Sequence, residues 1–129
     1  MPFFALNELP KLELFPGIRS ALVAGKRVML SALEMDAGGV VPEHSHPHEQ
    51  AGLVLEGTLR LRIGDDEREL EPGDAFLIPA NVVHSGVVTA GPARVLDIFS
   101  PVREDYVNRY NSFTGTGRDT RWQDRATGR

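Results

Sequence analysis

Residues 38–57 read GGVVPEHSHPHEQAGLVLEG and hold three of the chain's four histidines. His44 and His46 are two residues apart, so on an extended strand both side chains leave the same face. His48 shares their parity, but Pro47 bends the chain before it, and we expect His48 at the rim of any site. A lone histidine is more often a satisfied polar residue than a ligand, whereas this spacing favours a metal site.

The bulk composition places limits on the kind of protein. The chain has 129 residues, of which 41% are hydrophobic and 25% are charged, and a net charge of -4. These values are typical of one globular domain, and the absence of cysteine leaves imidazole, carboxylate, amide or water as metal ligands.

The acidic net charge predicts that the protein has no nucleic-acid partner. No apolar run reaches the ~20 residues of a membrane helix, and with no signal-peptide pattern we expect a cytoplasmic protein.

Short apolar or alternating runs from residue 20 to residue 100 predict an all-β fold. So many short strands need a closed barrel or a two-sheet sandwich to protect their edges. We expect one domain over residues 1–129, with a core at about 20–100, an N-terminal arm at 1–19, and a C-terminal helix and tail at 102–129. Trp122 in that tail could dock on the body or on a partner chain. The predicted turns lie at Gly25, Glu56-Gly57, Gly64-Asp65-Asp66, Pro79-Ala80-Asn81 and Ala90-Gly91-Pro92.

Two segments together resemble the motifs of the cupin superfamily. The first, G-x5-HxH-x3-Q-x6-G, runs from Gly38 to Gly57, and the second, G-x5-P-x-N-x2-H, runs from Gly73 to His84. The resemblance covers roughly residues 38–88 and implies a double-stranded β-helix, the jelly-roll barrel of that family. It also implies one divalent transition metal, either nickel, zinc, iron or manganese, held by His44, His46, Gln50 and His84.

Gln50 stands where the family usually has a glutamate ligand. A neutral amide oxygen leaves the full 2+ charge on the metal, which makes a stronger Lewis acid and a poorer copy of the two-histidine, one-carboxylate iron site. Glu49 has the opposite parity to His44 and His46, so it could be a ligand only if a bulge intervened. Asn81 replaces the usual glycine of the second motif, and asparagine tolerates left-handed backbone geometry.

A carboxylate in the last predicted strand, Asp97 in RVLDIFS, is a candidate for proton transfer. Its apolar neighbours Val95 and Phe99 share its parity, so burying Asp97 is costly unless it is paired or faces a cavity. Arg103 follows six residues later, beyond a proline that could turn the chain back. The alternative is that Asp97 lies on the outer face and pairs with Arg94.

The strings HSHPHEQ and DIFSPVREDY, with the glutamine ligand, are together similar to the pectin-degradation (KdgF-type) cupins. That resemblance implies a metal-dependent enzyme that linearises 4,5-unsaturated uronates from pectin or alginate to keto acids. It implies proton transfer by Asp97, carboxylate binding and catalysis by Arg103, and a substrate-binding apolar wall at Phe99.

Two alternatives stay open for the function. One is another small-molecule metallo-cupin, an isomerase or a dioxygenase, and the other is a non-catalytic sugar-binding cupin. The family resemblance also implies a homodimer, in which apolar residues of the N-terminal arm could lie across the partner's sheet.

Overall fold

The computed structural model describes residues 3–115, which form antiparallel strands and a short C-terminal helix. The predicted tail and the docking of Trp122 lie outside the described residues. In chain order the elements are a 3-10 turn (Leu6–Glu8), β1 (Leu12–Phe15), β2 (Ile18–Ala24), β3 (Met29–Met35), β4 (Val40–His44), β5 (Glu49–Ile63), β6 (Asp66–Leu70), β7 (Ala75–Ile78), β8 (His84–Ser100) and α1 (Glu104–Thr114).

Two long strands, β5 and β8, run through both walls of a barrel. Residues 49–56 of β5 pair with residues 94–100 of β8, and residues 58–63 of β5 pair with residues 84–90 of β8. One wall, here called the six-stranded wall, has the order β1-β2-β3-β8-β5-β7, and the four-stranded wall has the order β4-β8-β5-β6. This is the predicted jelly-roll barrel, so the all-β fold class with a C-terminal helix is confirmed.

Two of the predicted turns are wrong, because Glu56-Gly57 lies inside β5 and Ala90-Gly91-Pro92 lies inside β8. The register between the two strands slips at these places, where each strand passes from one wall to the other. Gly57 has a φ of 75°, and a Cβ added there would lie 2.7 Å from the carbonyl oxygen of Pro92. A bend within a strand needs the same small residues as a turn. The two can be distinguished only by whether the strand pairing continues beyond those residues.

Strand pairing begins at Leu12, earlier than the expected core boundary near residue 20. β1 pairs with β2, and both Leu12 and Leu14 are buried in the main apolar cluster. Residues from Leu12 onwards, which we assigned to an arm, therefore belong to the six-stranded wall.

The helix α1 is held against the N-terminal part of the chain. Tyr106, Val107 and Tyr110 are buried, and the Tyr110 hydroxyl donates to the carbonyl of Pro10 at 2.6 Å. The helix ends at Gly115, whose φ of 69° allows the left-handed cap. This packing places the first turn of α1 beside the interior of the barrel. Among the described residues, no helix combines the length and the apolar composition that crossing a membrane requires.

Candidate metal centre and cavity

Three histidines from two separate segments converge inside the barrel. His44 ends β4 and pairs directly with His84 at the start of β8, whereas His46 lies in the loop beyond β4. That loop is tied to the second motif, because the Asn81 N–H donates to the carbonyl of His46 at 2.8 Å and Asn81 has a φ of 68°. One candidate ligand atom from each of the three histidines lies within 4.8 Å of the others. The structure thus brings together the two histidines that the spacing argument selected, although β4 stops before His46.

Each of the three imidazoles has its Nδ1 against a backbone carbonyl. The distances are 2.7 Å from His44 to Pro42, 3.1 Å from His46 to His48, and 2.8 Å from His84 to Val82. A carbonyl only accepts hydrogen bonds, so Nδ1 carries the proton and Nε2 keeps its lone pair. Nε2 of His84 is buried and has no hydrogen-bond partner within residues 3–115. The carbonyls therefore orient a set of lone pairs toward a common point, which is how a protein prepares imidazole ligands.

Burial lowers the pKa of two of these imidazoles, those of His46 and His84. Desolvation, followed by the positive charges of Arg103 and His84, lowers the pKa of His46 to about 4. Desolvation also lowers the pKa of His84. A metal binds the neutral ring, so no proton needs to be displaced from His46 near neutral pH.

Gln50 lies beside the histidine cluster and connects it to Asp97. Its side-chain oxygen lies 3.2 Å from Nε2 of His46, and its amide hydrogen-bonds to the Asp97 carboxylate. Since the NH₂ group is the amide's donor, it faces Asp97, and the oxygen is left facing His46. Two lone pairs, on Nε2 and on the amide oxygen, then face each other, which suits a cation between them. Glu49 is exposed, so nothing in the fold brings it to this site as a ligand.

The donor set fits a divalent first-row transition metal. Three neutral imidazoles and one amide oxygen are borderline and hard ligands of the kind that nickel, zinc, iron and manganese accept, and the set does not choose among these metals. Nε2 of His84 is buried without a hydrogen-bond partner in the described part of the chain, which a cluster of histidines bonded only to one another would not explain.

Asp97 faces the interior rather than the solvent. It pairs in register with Ser31 on one side and Gly52 on the other, and it is 6% exposed. Desolvation raises the pKa of Asp97 to about 7, against smaller lowering effects of the Gln50 hydrogen bond and the Arg103 charge. Its Oδ1 is buried and has no hydrogen-bond partner among the described residues. The alternative pairing with Arg94 is wrong, because Arg94 lies outside and pairs with Glu56 at 3.5 Å.

The cavity that these groups share has a volume of about 660 Å³, counting its open mouth. Six of the seven predicted site residues line it: His44, Gln50, His84, Asp97, Phe99 and Arg103. The seventh, His46, contacts the Phe99 ring edge-on at 5.7 Å between centroids. Most of the remaining wall is apolar and comes from Leu, Ile, Val, Met and Phe side chains. His48 is half-buried and its ring lies 5.4 Å from that of His46, at the edge of the cluster.

Sequence reasoning missed three residues of the cavity region. Ser31 lines the cavity next to Asp97, with which it pairs on the neighbouring strand. Its hydroxyl oxygen lies 2.6 Å from that of the buried Ser20. Tyr106 also lines the cavity, and Asp105 holds the Arg103 guanidinium. The signal for Tyr106 was its spacing, three residues after Arg103 at the start of a helix. Ser31 carried no local signal, because its position depends on strand pairing.

Fold and site together define the class of the protein, which is a β-barrel with a three-histidine cluster suited to a metal ion in its interior. The chain belongs to the cupin family: residues 31–99, more than half of the chain, match the family model described as Cupin domain.

Among its relatives, the chain is similar to the pectin degradation protein KdgF of Dickeya dadantii (strain 3937). The two are 32% identical over 108 residues, covering 81% of this chain and 97% of that protein. In structure it is similar to KdgF from Halomonas sp., with a TM-score of 0.76, 34% identity, and coverage of 81% and 96% of the two chains. An RmlC-like cupin from Shewanella frigidimarina NCIMB 400 gives a TM-score of 0.77 at 27% identity, with 81% and 95% covered.

Proposed function

We propose that this protein is a metal-dependent enzyme that linearises 4,5-unsaturated uronates from pectin or alginate breakdown to keto acids. The similarity to two KdgF proteins over most of the chain supports a place in pectin degradation. The observation that carries the proposal is the meeting, in one cavity, of the histidine cluster, a buried carboxylic acid and a buried guanidinium.

The metal would be held by His44, His46, Gln50 and His84, and when bound it supplies a Lewis acid for substrate oxygen atoms. Arg103 pairs with the substrate carboxylate as a planar fork. The Phe99 ring, 2% exposed, forms an apolar wall between the histidines and the guanidinium.

Asp97 is the residue that moves protons. Ring opening breaks the bond between C1 and the ring oxygen, which leaves an aldehyde at C1 and an enol at C5. The enol becomes a ketone when C4 gains a proton, and that proton balances the one lost from the C1 hydroxyl. The reaction is thus an isomerisation that consumes no oxidant. A carboxylate in a mostly apolar cavity, with one oxygen that has no hydrogen-bond partner among the described residues, is placed to accept and return such a proton.

The test is spectroscopic. The C4=C5 bond conjugated to the carboxylate absorbs in the ultraviolet, so metal-loaded wild-type protein should remove this absorbance from an unsaturated uronate in a protein-dependent manner. Protein stripped of metal by a chelator should be inactive and should recover activity on reloading. If loaded wild-type protein leaves the absorbance unchanged with both pectin- and alginate-derived substrates, the proposal is wrong.

A second candidate function draws support from the apolar lining of the cavity. A substrate with a larger apolar body would fit the leucine, valine and methionine side chains better than a sugar does. The function would then be that of another metallo-cupin, an isomerase or a dioxygenase. A dioxygenase would consume dioxygen during turnover, whereas uronate linearisation would not, so oxygen uptake distinguishes the two. A non-catalytic sugar-binding cupin would instead bind the sugar saturably and release no product.

We also propose that the protein forms a homodimer through the outer face of the six-stranded wall. Two rows of directly paired residues cross the strands of this face, and neither contains a charged residue. The first row consists of Val23, Leu30, Ile98, Ala51 and Leu77. The second row consists of Ala21, Ala32, Leu96, Leu53 and Ala75. We call these rows the apolar outer face. Leu77 is 58% exposed, which is unusual for a leucine unless something covers it.

The charges beside this face favour a second copy as its partner. Lys11 pairs with Glu34 at 2.8 Å, and Arg94 pairs with Glu56 at 3.5 Å. Because these border charges are neutralised within one chain, two negatively charged copies can approach here without a charged fringe repelling them. The cytoplasmic location and the absence of a nucleic-acid partner remain predictions from the sequence.

A further inference from the structure

Arg103 is a buried cation, and among residues 3–115 its guanidinium has hydrogen-bond partners on one side only. The residue is 7% exposed and precedes the first turn of α1. A buried guanidinium is costly unless its charge and its N–H groups find partners. The neighbours that compensate for this burial also decide how the group is oriented.

Asp105 binds one edge of the guanidinium. Its carboxylate accepts from Nη2 at 2.8 Å and from Nε at 3.3 Å. The guanidinium is a planar fork with five N–H groups, so binding at the Nε side leaves the Nη1 side for another acceptor. Asp105 itself is 57% exposed, and water therefore weakens its hold on the Arg103 charge.

Two aromatic rings fix the plane of the same group. The guanidinium carbon lies 3.7 Å from the centroid of Tyr106 and 5.2 Å from the centroid of Phe99. The two rings stand nearly perpendicular to each other, with centroids 6.0 Å apart. Contact with a ring face at 3.7 Å stabilises the cation and opposes rotation of the fork.

We propose that Asp105 and Tyr106 are positioning residues that present the free Nη1 edge of Arg103 to the carboxylate of the substrate. This inference rests on the proposed function, because it assumes an anionic sugar in the cavity. Asp105 and Tyr106 thereby set the preference of the site for a free carboxylate over an uncharged ester. A guanidinium that is fixed in plane and direction binds both oxygens of a carboxylate, whereas a mobile guanidinium acts as a point charge.

The experiment compares the unsaturated uronate with its methyl ester in metal-loaded protein. Asp105→Asn removes the charge and one acceptor, and Tyr106→Leu removes the ring. For each variant we expect the KM for the free acid to rise by about tenfold while kcat changes little, because the contact is made in the ground state as well as in the transition state. The preference for acid over ester, measured as a ratio of kcat/KM values, should fall by a similar factor.

Conservative and structural controls separate positioning from folding. Asp105→Glu and Tyr106→Phe keep the charge and the ring, so their acid-over-ester preference should recover toward that of the wild type. Tyr110→Leu removes a buried tyrosine one turn along α1 and away from the cavity, and it should lower the melting temperature without changing the preference.

Two failures can be told apart. If wild-type protein acts on neither substrate, the proposed function fails. If wild-type protein acts on the free acid but Asp105→Asn and Tyr106→Leu keep its KM and its acid-over-ester preference, the proposed function stands and the positioning role is rejected. A loss of preference in Tyr110→Leu equal to that in Tyr106→Leu would also reject it.

Discussion

The two sides of the six-stranded wall each depart from the usual pattern of a half-buried sheet. On its inner side β8 presents the ionisable Asp97 to the cavity among apolar neighbours, and on its outer side it presents Leu96 and Ile98, the latter 37% exposed. A strand with one solvated face usually carries apolar side chains inward and polar ones outward. Both departures carry a cost in free energy, since one buries an ionisable group and the other leaves apolar surface in water.

The difference shows where to look for function in this barrel. A carboxyl group buried with an unpaired oxygen indicates chemistry inside, and uncharged rows of side chains indicate a partner outside. Substitutions on the inner side should therefore change metal content and turnover, and those on the outer side should change assembly. Three substitutions test this division, and a fourth tests an exposed ion pair beside the apolar outer face.

The largest expected effect is that of His84→Ala. Loss of one of three imidazoles should weaken metal binding by more than about 100-fold, since changes behind a ligand alone cost 10–100-fold, and activity should be lost with the metal. Metal content after dialysis, measured by mass spectrometry, checks this. His48→Ala is the matched control, because it removes a histidine that lies beside His46 but outside the three-histidine cluster. Equal loss of metal in both variants would contradict the assignment.

Asp97→Asn should reduce turnover by about 10²–10⁴-fold, the usual contribution of a positioned proton carrier. Asparagine has the same shape, so metal content should match that of the wild type. Ultraviolet kinetics and metal analysis on the same preparation measure both quantities. Asp66→Asn replaces a carboxylate that is exposed at a turn, and it should leave turnover unchanged. An Asp97→Asn enzyme with near wild-type turnover would remove Asp97 from the mechanism.

On the outer side, Leu77→Lys should weaken the dimer by at least tenfold, because the lysine would have to be desolvated in an apolar contact. Sedimentation velocity across a range of protein concentrations measures the dissociation constant. Val40→Lys makes the same kind of change at a residue that is 51% exposed on the four-stranded wall, and it should not alter assembly. A wild-type protein that is monomeric at high micromolar concentration would show that the apolar outer face has no such role.

The smallest effect should come from Arg94→Ala. Its ion pair with Glu56 is exposed, at 44% and 56% for the two side chains, so removing it should cost about 0.2–1 kcal/mol in the free energy of unfolding. Urea denaturation measures this difference, which should shrink at high salt because exposed pairs are screened. A larger loss, or one that salt does not reduce, would show that Arg94 does more than pair at the surface.

Much of the site could be predicted because its signals are local. The spacing of His44 and His46, the parity of Asp97 with Phe99, and a helix after Pro101 all follow from backbone periodicity within a few residues. The bends at Gly57 and Gly91 could not be predicted, since a bulge and a turn use the same residues and differ only in what pairs beyond them. Ser31 was missed for a related reason, because it reaches the cavity through pairing with a strand more than 60 residues away.

By itself the sequence determined which side chains could serve as ligands. It also determined which of them share a face of the same strand, because side-chain alternation is a property of the extended backbone. The tertiary structure alone decided which side of β8 became the interior, how the Gln50 amide is oriented between His46 and Asp97, and which edge of Arg103 is held. Those outcomes depend on hydrogen bonds and contacts between segments distant in the chain, and local spacing does not contain them.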